Sequence, residues 1–168
     1  FAELGAFKTG RGAFDRESLA LIEKIINDSP DGVVSNYGHQ ENVGSSDALD
    51  AFLGRAKASW VDGNKVRANL HLDDVAFLSH NGGISRGERL LKRAKTDPGS
   101  FGSSLVLAAE KIRAKAGPPI WRPLEIASSD IVAIGDAVHG GILSADDSAL
   151  QDEEIRIRWR NTKRRAGV

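Results

Sequence analysis

Hydrophobic side chains first recur at helical spacing between residues 16 and 27, which predicts an amphipathic helix with one buried face. Asp15 is placed to cap its first turn, and Phe14 is placed to pack against Leu19. The stretch 27–32 contains a proline and a glycine, so it should end the helix. The apolar face comprises Leu19, Ile22, Ile25 and Ile26.

The hydrophobic pattern changes to alternation over residues 52–72, which predicts a β-hairpin. In the second arm, apolar and polar residues alternate, giving one dry and one wet face. The dry positions are Val66, Ala68, Leu70 and Leu72. The corresponding prediction for the first arm puts four apolar residues on one face: Phe52, Ala56, Ala58 and Trp60. The turn is expected at 62–64, because glycine and asparagine accept a positive φ at little cost.

The second half of the chain shows one more helix and further strands. A helix is predicted near 86–96, where Ser85 and Glu88 match the Ser-x-x-Glu capping box. A strand is predicted over 101–109, and one or two short strands within 120–134. Strands interleaved with a few helices, without regular βαβ repeats, favour an α+β fold: a mixed β-barrel with helices packed around it.

The C-terminal stretch differs in charge from the rest of the chain. We assign residues 1–150 to one domain and residues 151–168 to a basic helix end or tail. Six basic residues and no acidic one follow Ile155: Arg156, Arg158, Arg160, Lys163, Arg164 and Arg165. Such a run is typical of a solvated helix end, and the alternative is that it binds a partner or a nucleic acid.

The composition of the chain excludes several kinds of functional site. The 168 residues carry 23 basic and 23 acidic side chains, so net charge gives no argument for a nucleic acid or a membrane as partner. The absence of cysteine excludes a disulfide framework, a thiolate zinc site and a cysteine nucleophile. No dinucleotide fingerprint, P-loop or His-Glu-x-x-His motif occurs, and we expect neither a cofactor nor a metal. No apolar run reaches the roughly 20 residues of a membrane span.

Four histidines are candidates for a general base near neutral pH. His71 lies on the wet face of the hairpin and His80 in a glycine-rich loop, so both are interpreted as surface residues. His39 follows a short apolar run and stands next to Gly38, which suits a base at the end of a strand. His139 lies near the end of the predicted domain.

The nucleophile candidates are serines, because covalent catalysis without cysteine needs serine, threonine or lysine. Ser103 and Ser104 lie inside the strand predicted over 101–109, where a hydroxyl must find a partner or face a cavity. Taken singly, these serines and His39 are more typical of structural residues. The residues alone therefore leave a serine hydrolase as one option among several.

Three segments of the chain together form a recognisable pattern. The first is Gly38-His39 followed by Leu53-Gly54-Arg55-Ala56-Lys57 and the second hairpin arm. The second is the aromatic-Gly-x-Ser-aliphatic pattern within 97–106, and the third is the segment 124–132. The order and spacing of these segments are more specific than any one of them, and they resemble those of the prohead proteases of tailed phages, which mature the capsid.

The resemblance implies a catalytic set of His39, Ser104 and Asp130, with Ser103 as the alternative nucleophile. The order of the three groups is similar to that of herpesvirus assemblin, a distant relative of the family. Because assemblins use a second histidine as third member, His139 is the alternative to Asp130. The oxyanion candidates are Gly140 and Gly141, although assemblins carry arginines in that region and this chain has none.

The resemblance also implies an assemblin-like barrel and a biological role. The expected activity is serine endopeptidase cleavage of scaffold and major capsid proteins, and of the protease itself, inside an immature procapsid in the host cytoplasm. Relatives are often dimers, so self-association is expected.

Two alternatives stay open. One is a Ser/Lys peptidase, in which Lys57, Lys111 or Lys115 serves as the base. The other is a catalytically silent scaffold or assembly protein whose basic tail binds capsid or DNA.

Overall fold

The computed structural model describes residues 2–3, 5–7, 11–38, 51–79 and 82–132. Within these ranges the chain is a mixed α+β fold, in which two helices accompany a sheet that curls into a half-barrel. The α+β prediction is therefore confirmed at this level. No helix in the described ranges is both long and apolar enough to span a membrane.

The sheet contains eight strands among the described residues. They are β1 (Ala2–Glu3), β2 (Gly5–Ala6), β3 (Ala13–Phe14), β4 (Val33–Asn36), β5 (Phe52–Asp62), β6 (Lys65–Leu72), β7 (Gly102–Ile112) and β8 (Ile120–Val132). The order across the sheet is β1-β6-β5-β4-β8-β3-β2, and β7 pairs with β8. The long β8 therefore has β7 along one edge, and β3 and β4 at successive positions along the other.

Helix α1 (Arg16–Asp28) forms where the helical spacing predicts it. Asp15 caps it by accepting the Ser18 backbone N–H at 2.9 Å. Phe14 and Leu19 lie in one hydrophobic cluster, as the predicted staple requires. Leu19, Ile22 and Ile26 are almost fully buried, so the helix packs its apolar face into the core.

The hairpin of β5 and β6 is confirmed, with Gly63 and Asn64 between the strands. The dry face predicted for β6 is also confirmed, since Val66 is buried and its alternate residues pack on the two core clusters. The face predicted for β5 is wrong. A bulge between Lys57 and Trp60 reverses the alternation, so that Ala56 is buried whereas Ala58 and Trp60 are exposed.

Helix α2 (Arg86–Thr96) has the predicted capping box between Ser85 and Glu88. Short 3-10 turns precede and follow it, at Asp74–Phe77 and Pro98–Ser100. The strand predicted over 101–109 is present as the longer β7. Where one or two short strands were predicted within 120–134, the structure has a single strand of 13 residues, β8.

Two hydrophobic clusters form the core of the described chain, and each includes a residue of β8. The larger cluster packs α1 against the sheet and includes Phe14 and Ile22. The smaller one includes Leu90 and Ala94 of α2 with Ile131 of β8. The beginning of β7 and the end of β8 border the smaller cluster, and the predicted nucleophile lies there. The basic stretch 151–168 lies outside the described residues.

Candidate active site

The adjacent serines of β7 point to opposite faces of the sheet, because successive side chains alternate along a strand. Ser103 is buried, with 1% of its surface exposed, and its hydroxyl oxygen lies 2.7 Å from that of Ser129. Ser104 is half-buried, and its hydroxyl makes no hydrogen bond within the described residues. Of the two serines, Ser104 is therefore the less buried.

Asp130 lies directly across from Ser104 in the antiparallel pair of β7 and β8. Side chains at such positions share a face, with Cβ atoms about 4.5–5.5 Å apart. The Asp130 side chain is 1% exposed. The structure thus brings together Ser104 and Asp130, and it keeps this carboxyl group away from bulk water.

Asn36 of β4 lies next to the pair of Ser104 and Asp130, and the three side chains form what we call the polar row. This strand runs parallel to β8, with Val34 opposite Ser128, so that Asn36 stands beside Asp130. The Asn36 side-chain amide donates a hydrogen bond of 3.0 Å to Asp130 Oδ1. Three neighbouring strands therefore contribute the asparagine, the aspartate and the serine to one face.

Beyond β4 the chain continues along the end of β8. Tyr37 forms a parallel bridge with Ile131, and the Gly38 N–H donates to the Ile131 carbonyl at 2.8 Å. Gly38 has φ +80°, in the left-handed region that side chains with a Cβ rarely adopt. The segment that directly precedes His39 in the sequence is therefore attached to the strand residue next to Asp130.

Several predicted site residues lie outside the described part of the chain. These are His39, His139, Gly140 and Gly141. His80 lies outside it too, whereas His71 is exposed on β6, as predicted for a surface residue. The geometry of the proposed base, the alternative third member and the oxyanion candidates therefore stays a prediction.

The lysines of the Ser/Lys alternative lie away from Ser104. Lys111 is seven positions further along β7, which corresponds to about 23 Å in an extended strand. Its ammonium group lies 5.0 Å from the centre of the Trp121 ring. Lys115 lies beyond the end of β7, in the loop before β8. Lys57 lies on β5, beyond the Ala56–Val33 pair and away from the Asn36 end of β4.

The main ion-pair cluster of the described residues also lies away from the polar row, near the start of β8. Arg122 donates to Asp15 at 2.6 and 2.7 Å and to Glu17 at 2.7 Å. Burial by itself raises the pKa of Asp15, but hydrogen bonds from Arg122 and Ser18 outweigh it and lower that pKa to about 2. The same carboxylate raises the pKa of Arg122. This cluster joins α1 to β8, eight positions before Asp130 along the chain.

The sequence interpretation missed Asn36. A signal was available, because Asn36 is two residues after Val34 in a short strand and three residues before His39. What the sequence could not supply was the register of β4 against β8. No group of three potential metal ligands occurs among the described residues. Comparisons with protein-family models, curated proteins and solved structures found no match to this chain.

Proposed function

We propose that the chain is a serine endopeptidase of the phage prohead protease type, with an assemblin-like barrel as its scaffold. The observation that carries the proposal is that Ser104 and Asp130 face each other on paired strands. The side chain of Asp130 is buried and accepts a hydrogen bond from Asn36. A half-buried serine hydroxyl beside a buried carboxylate supplies two members of a Ser-His-Asp set.

The third member is His39, which follows Gly38 in the sequence. The hydrogen bond between Gly38 and Ile131 supports this choice, because it attaches the preceding residue beside Asp130. In the proposed reaction, His39 removes the proton from Ser104 as the serine oxygen attacks a peptide carbonyl carbon. The imidazolium then gives the proton to the leaving amine, and water hydrolyses the acyl-enzyme.

Asp130 orients the imidazole and stabilises its protonated form. His139 is the alternative for this role, as in the assemblins. The oxyanion of the tetrahedral intermediate needs backbone N–H donors, which we assign to Gly140 and Gly141. The reaction uses no cofactor and no metal.

Burial favours Ser104 over Ser103 as nucleophile. Ser103 is enclosed in the core and already bonded to Ser129, so a peptide carbonyl has no access to its hydroxyl. Ser104 faces the side on which Asp130 lies. The separation of Ser104 from Lys111 disfavours the Ser/Lys alternative for that residue.

The proposed substrates are scaffold and major capsid proteins, and the protease itself. The proposed setting is the interior of the immature procapsid in the host cytoplasm, with the protease self-associated as a dimer or larger assembly. A catalytically silent assembly protein is the second candidate function, and it differs in having an unreactive Ser104.

Active-site labelling tests the proposal directly. A fluorophosphonate probe reacts with activated serines, so we expect it to label the wild-type protein, with the adduct on the peptide that contains Ser104. Ser104→Ala should abolish labelling, Ser103→Ala should retain it, and His39→Ala should slow it strongly. No labelling of the wild type would favour the silent assembly protein, and unchanged labelling of His39→Ala would contradict the role of the histidine.

A further inference from the structure

We infer that Asn36 is a positioning residue, which fixes the Asp130 carboxylate in the orientation that the catalytic histidine requires. This inference rests on the proposed function and adds a fourth residue to the site. It is carried by the hydrogen bond from Asn36 Nδ2 to Asp130 Oδ1 at 3.0 Å.

The chemistry of the pair determines the direction of this hydrogen bond. An ionised carboxylate only accepts, and the asparagine amide group is the part of Asn36 that donates. The amide is neutral, so it satisfies one oxygen of Asp130 without cancelling its charge. An arginine at the same place would form an ion pair that competes with the charged histidine.

The backbone makes the pair rigid. Asn36 is the last residue of β4, and β4 is paired with β5 on one side and β8 on the other. Asp130 belongs to β8 and is paired with Ser104 of β7. Both partners thus project from paired strands, and asparagine has few side-chain torsions to fix. A hydrogen bond between two such groups limits the rotation of the carboxylate plane.

The first experiment separates catalysis from binding. Asn36→Ala should lower kcat of peptide cleavage about 10- to 100-fold. Losses of that size are typical when a group that orients a metal-binding side chain in an enzyme is removed, and we expect a similar loss for a group that orients a catalytic carboxylate. KM should change less than about threefold, because a residue that acts through Asp130 contributes little to ground-state binding of substrate. Thermal unfolding followed by circular dichroism checks that the variant is folded.

A double-mutant cycle tests whether Asn36 acts through Asp130. In the Asp130→Ala background, Asn36→Ala should lower kcat by less than about threefold further, since the group that it orients is gone. Additive losses in the cycle would overturn the positioning role. If Asn36→Ala does not fold, Asn36→Ser replaces it in the cycle, because the shorter side chain does not span the 3.0 Å contact.

A pH profile gives a signature that a structural role would not produce. Asn36→Asp puts two carboxyl groups in one site, where repulsion strongly raises the apparent pKa for binding one shared proton. The shared proton restores a donor toward Asp130. The ratio of kcat for Asn36→Asp to kcat for the wild type should therefore rise as the pH falls from about 8 to about 5.5.

Asn69→Asp is the matched control, since Asn69 is an exposed strand residue on β6 opposite Lys57. The ratio of kcat for Asn69→Asp to kcat for the wild type should stay near one across the pH range. A flat ratio for Asn36→Asp would overturn the inference. A wild type without peptidase activity would overturn the proposed function and the positioning role together, whereas an active wild type with unaffected Asn36 variants would overturn the positioning role alone.

Discussion

The two adjacent serines of β7 have different surroundings, and their substitutions should have different consequences. Ser104→Ala removes the proposed nucleophile and should lower peptide cleavage roughly 10³-fold or more, with little effect on stability. Ser103→Ala removes a buried hydrogen bond to Ser129 and should lower the free energy of unfolding by about 1 kcal/mol while leaving cleavage nearly unchanged. Cleavage assays and urea unfolding measure both effects. The reverse ranking in cleavage would make Ser103 the nucleophile.

Gly38 offers a test of the segment before His39. Among the described residues, no atom lies within 4 Å of a Cβ added at Gly38, so we expect Gly38→Ala to act through the φ of +80°. The left-handed conformation costs a residue with a Cβ about 1–2 kcal/mol, which weakens the attachment of this segment to Ile131. We expect a several-fold to tenfold loss in kcat/KM.

Gly63→Ala is the matched control for that prediction. Gly63 also has a positive φ, of 58°, with no atom within 4 Å of an added Cβ, but it lies at the hairpin turn. Both variants should lose similar stability in thermal unfolding, and only Gly38→Ala should lose activity. Equal kcat/KM values for the two variants would contradict a role of Gly38 in placing the base.

Sequence reasoning found Ser104 and Asp130 through a family resemblance, and the structure then placed them opposite each other. It could not have derived that juxtaposition from the residues alone, because register between distant strands depends on the whole sheet. The same limit explains why Asn36 was missed. Its partner is 94 positions away in the chain, and no local pattern encodes that separation.

At the scale of elements, periodicity predicted where helices and strands occur but not where strands are irregular. The bulge after Lys57, with Ala58 at φ +50°, reverses the faces of β5, and no residue there is a characteristic bulge former. In β8, Pro123 lies inside a strand that runs from Ile120 to Val132. The strand continues because a register shift between Ala108 and Ala109 lies opposite this proline, and bulges tolerate a residue that lacks an N–H.

The junction between α1 and β8 should make stability depend on pH. The pKa of Asp15 is about 2 in the folded protein and ordinarily 3.8, so its ionised form favours folding. This contribution is fully present above about pH 4 and is lost as the pH falls from there through about 2. Asp15→Asn keeps a good helix cap and removes the charge. Its free energy of unfolding should therefore lie below that of the wild type at pH 6, and the two should converge toward pH 2.

Urea unfolding between pH 6 and pH 2 measures this dependence. Asp28→Asn is the control, because Asp28 lies at the other end of α1, where it pairs with Lys24 at an exposed position. Exposed pairs contribute little to stability, so this variant should follow the wild type across the range. If the free energies of unfolding of Asp15→Asn and the wild type fell in parallel with pH, the protonation of Asp15 would make no contribution to stability through the Arg122 cluster.

At the scale of the whole molecule, the curvature of the sheet determines which strand edges the described chain leaves unpaired. Interleaved strands predicted a barrel, whereas the described residues form an open half-barrel. Closure depends on strand tilt and stagger, which hydrophobic alternation does not encode. One result of the open form is that β7, which carries Ser104, has β8 as its sole strand partner in the described chain.

Because β7 is an edge strand among the described residues and carries the proposed nucleophile, we expect an extended peptide to be the preferred substrate. Such a peptide can add to the outer edge of β7 through main-chain hydrogen bonds. Every second side chain of the peptide would then contact the face of the sheet on which Val106 is 44% exposed. Binding energy from residues remote from the cleaved bond then contributes to the chemical step. We expect a peptide of about eight residues to be cleaved with a kcat/KM at least 100-fold above that of a short ester. When the backbone amides of that peptide are N-methylated one at a time, cleavage should fall at every second methylated position, because alternate amides bond to the edge of β7. A uniform response to methylation would indicate a compact pocket instead of strand addition. Equal efficiency on the ester would indicate the same.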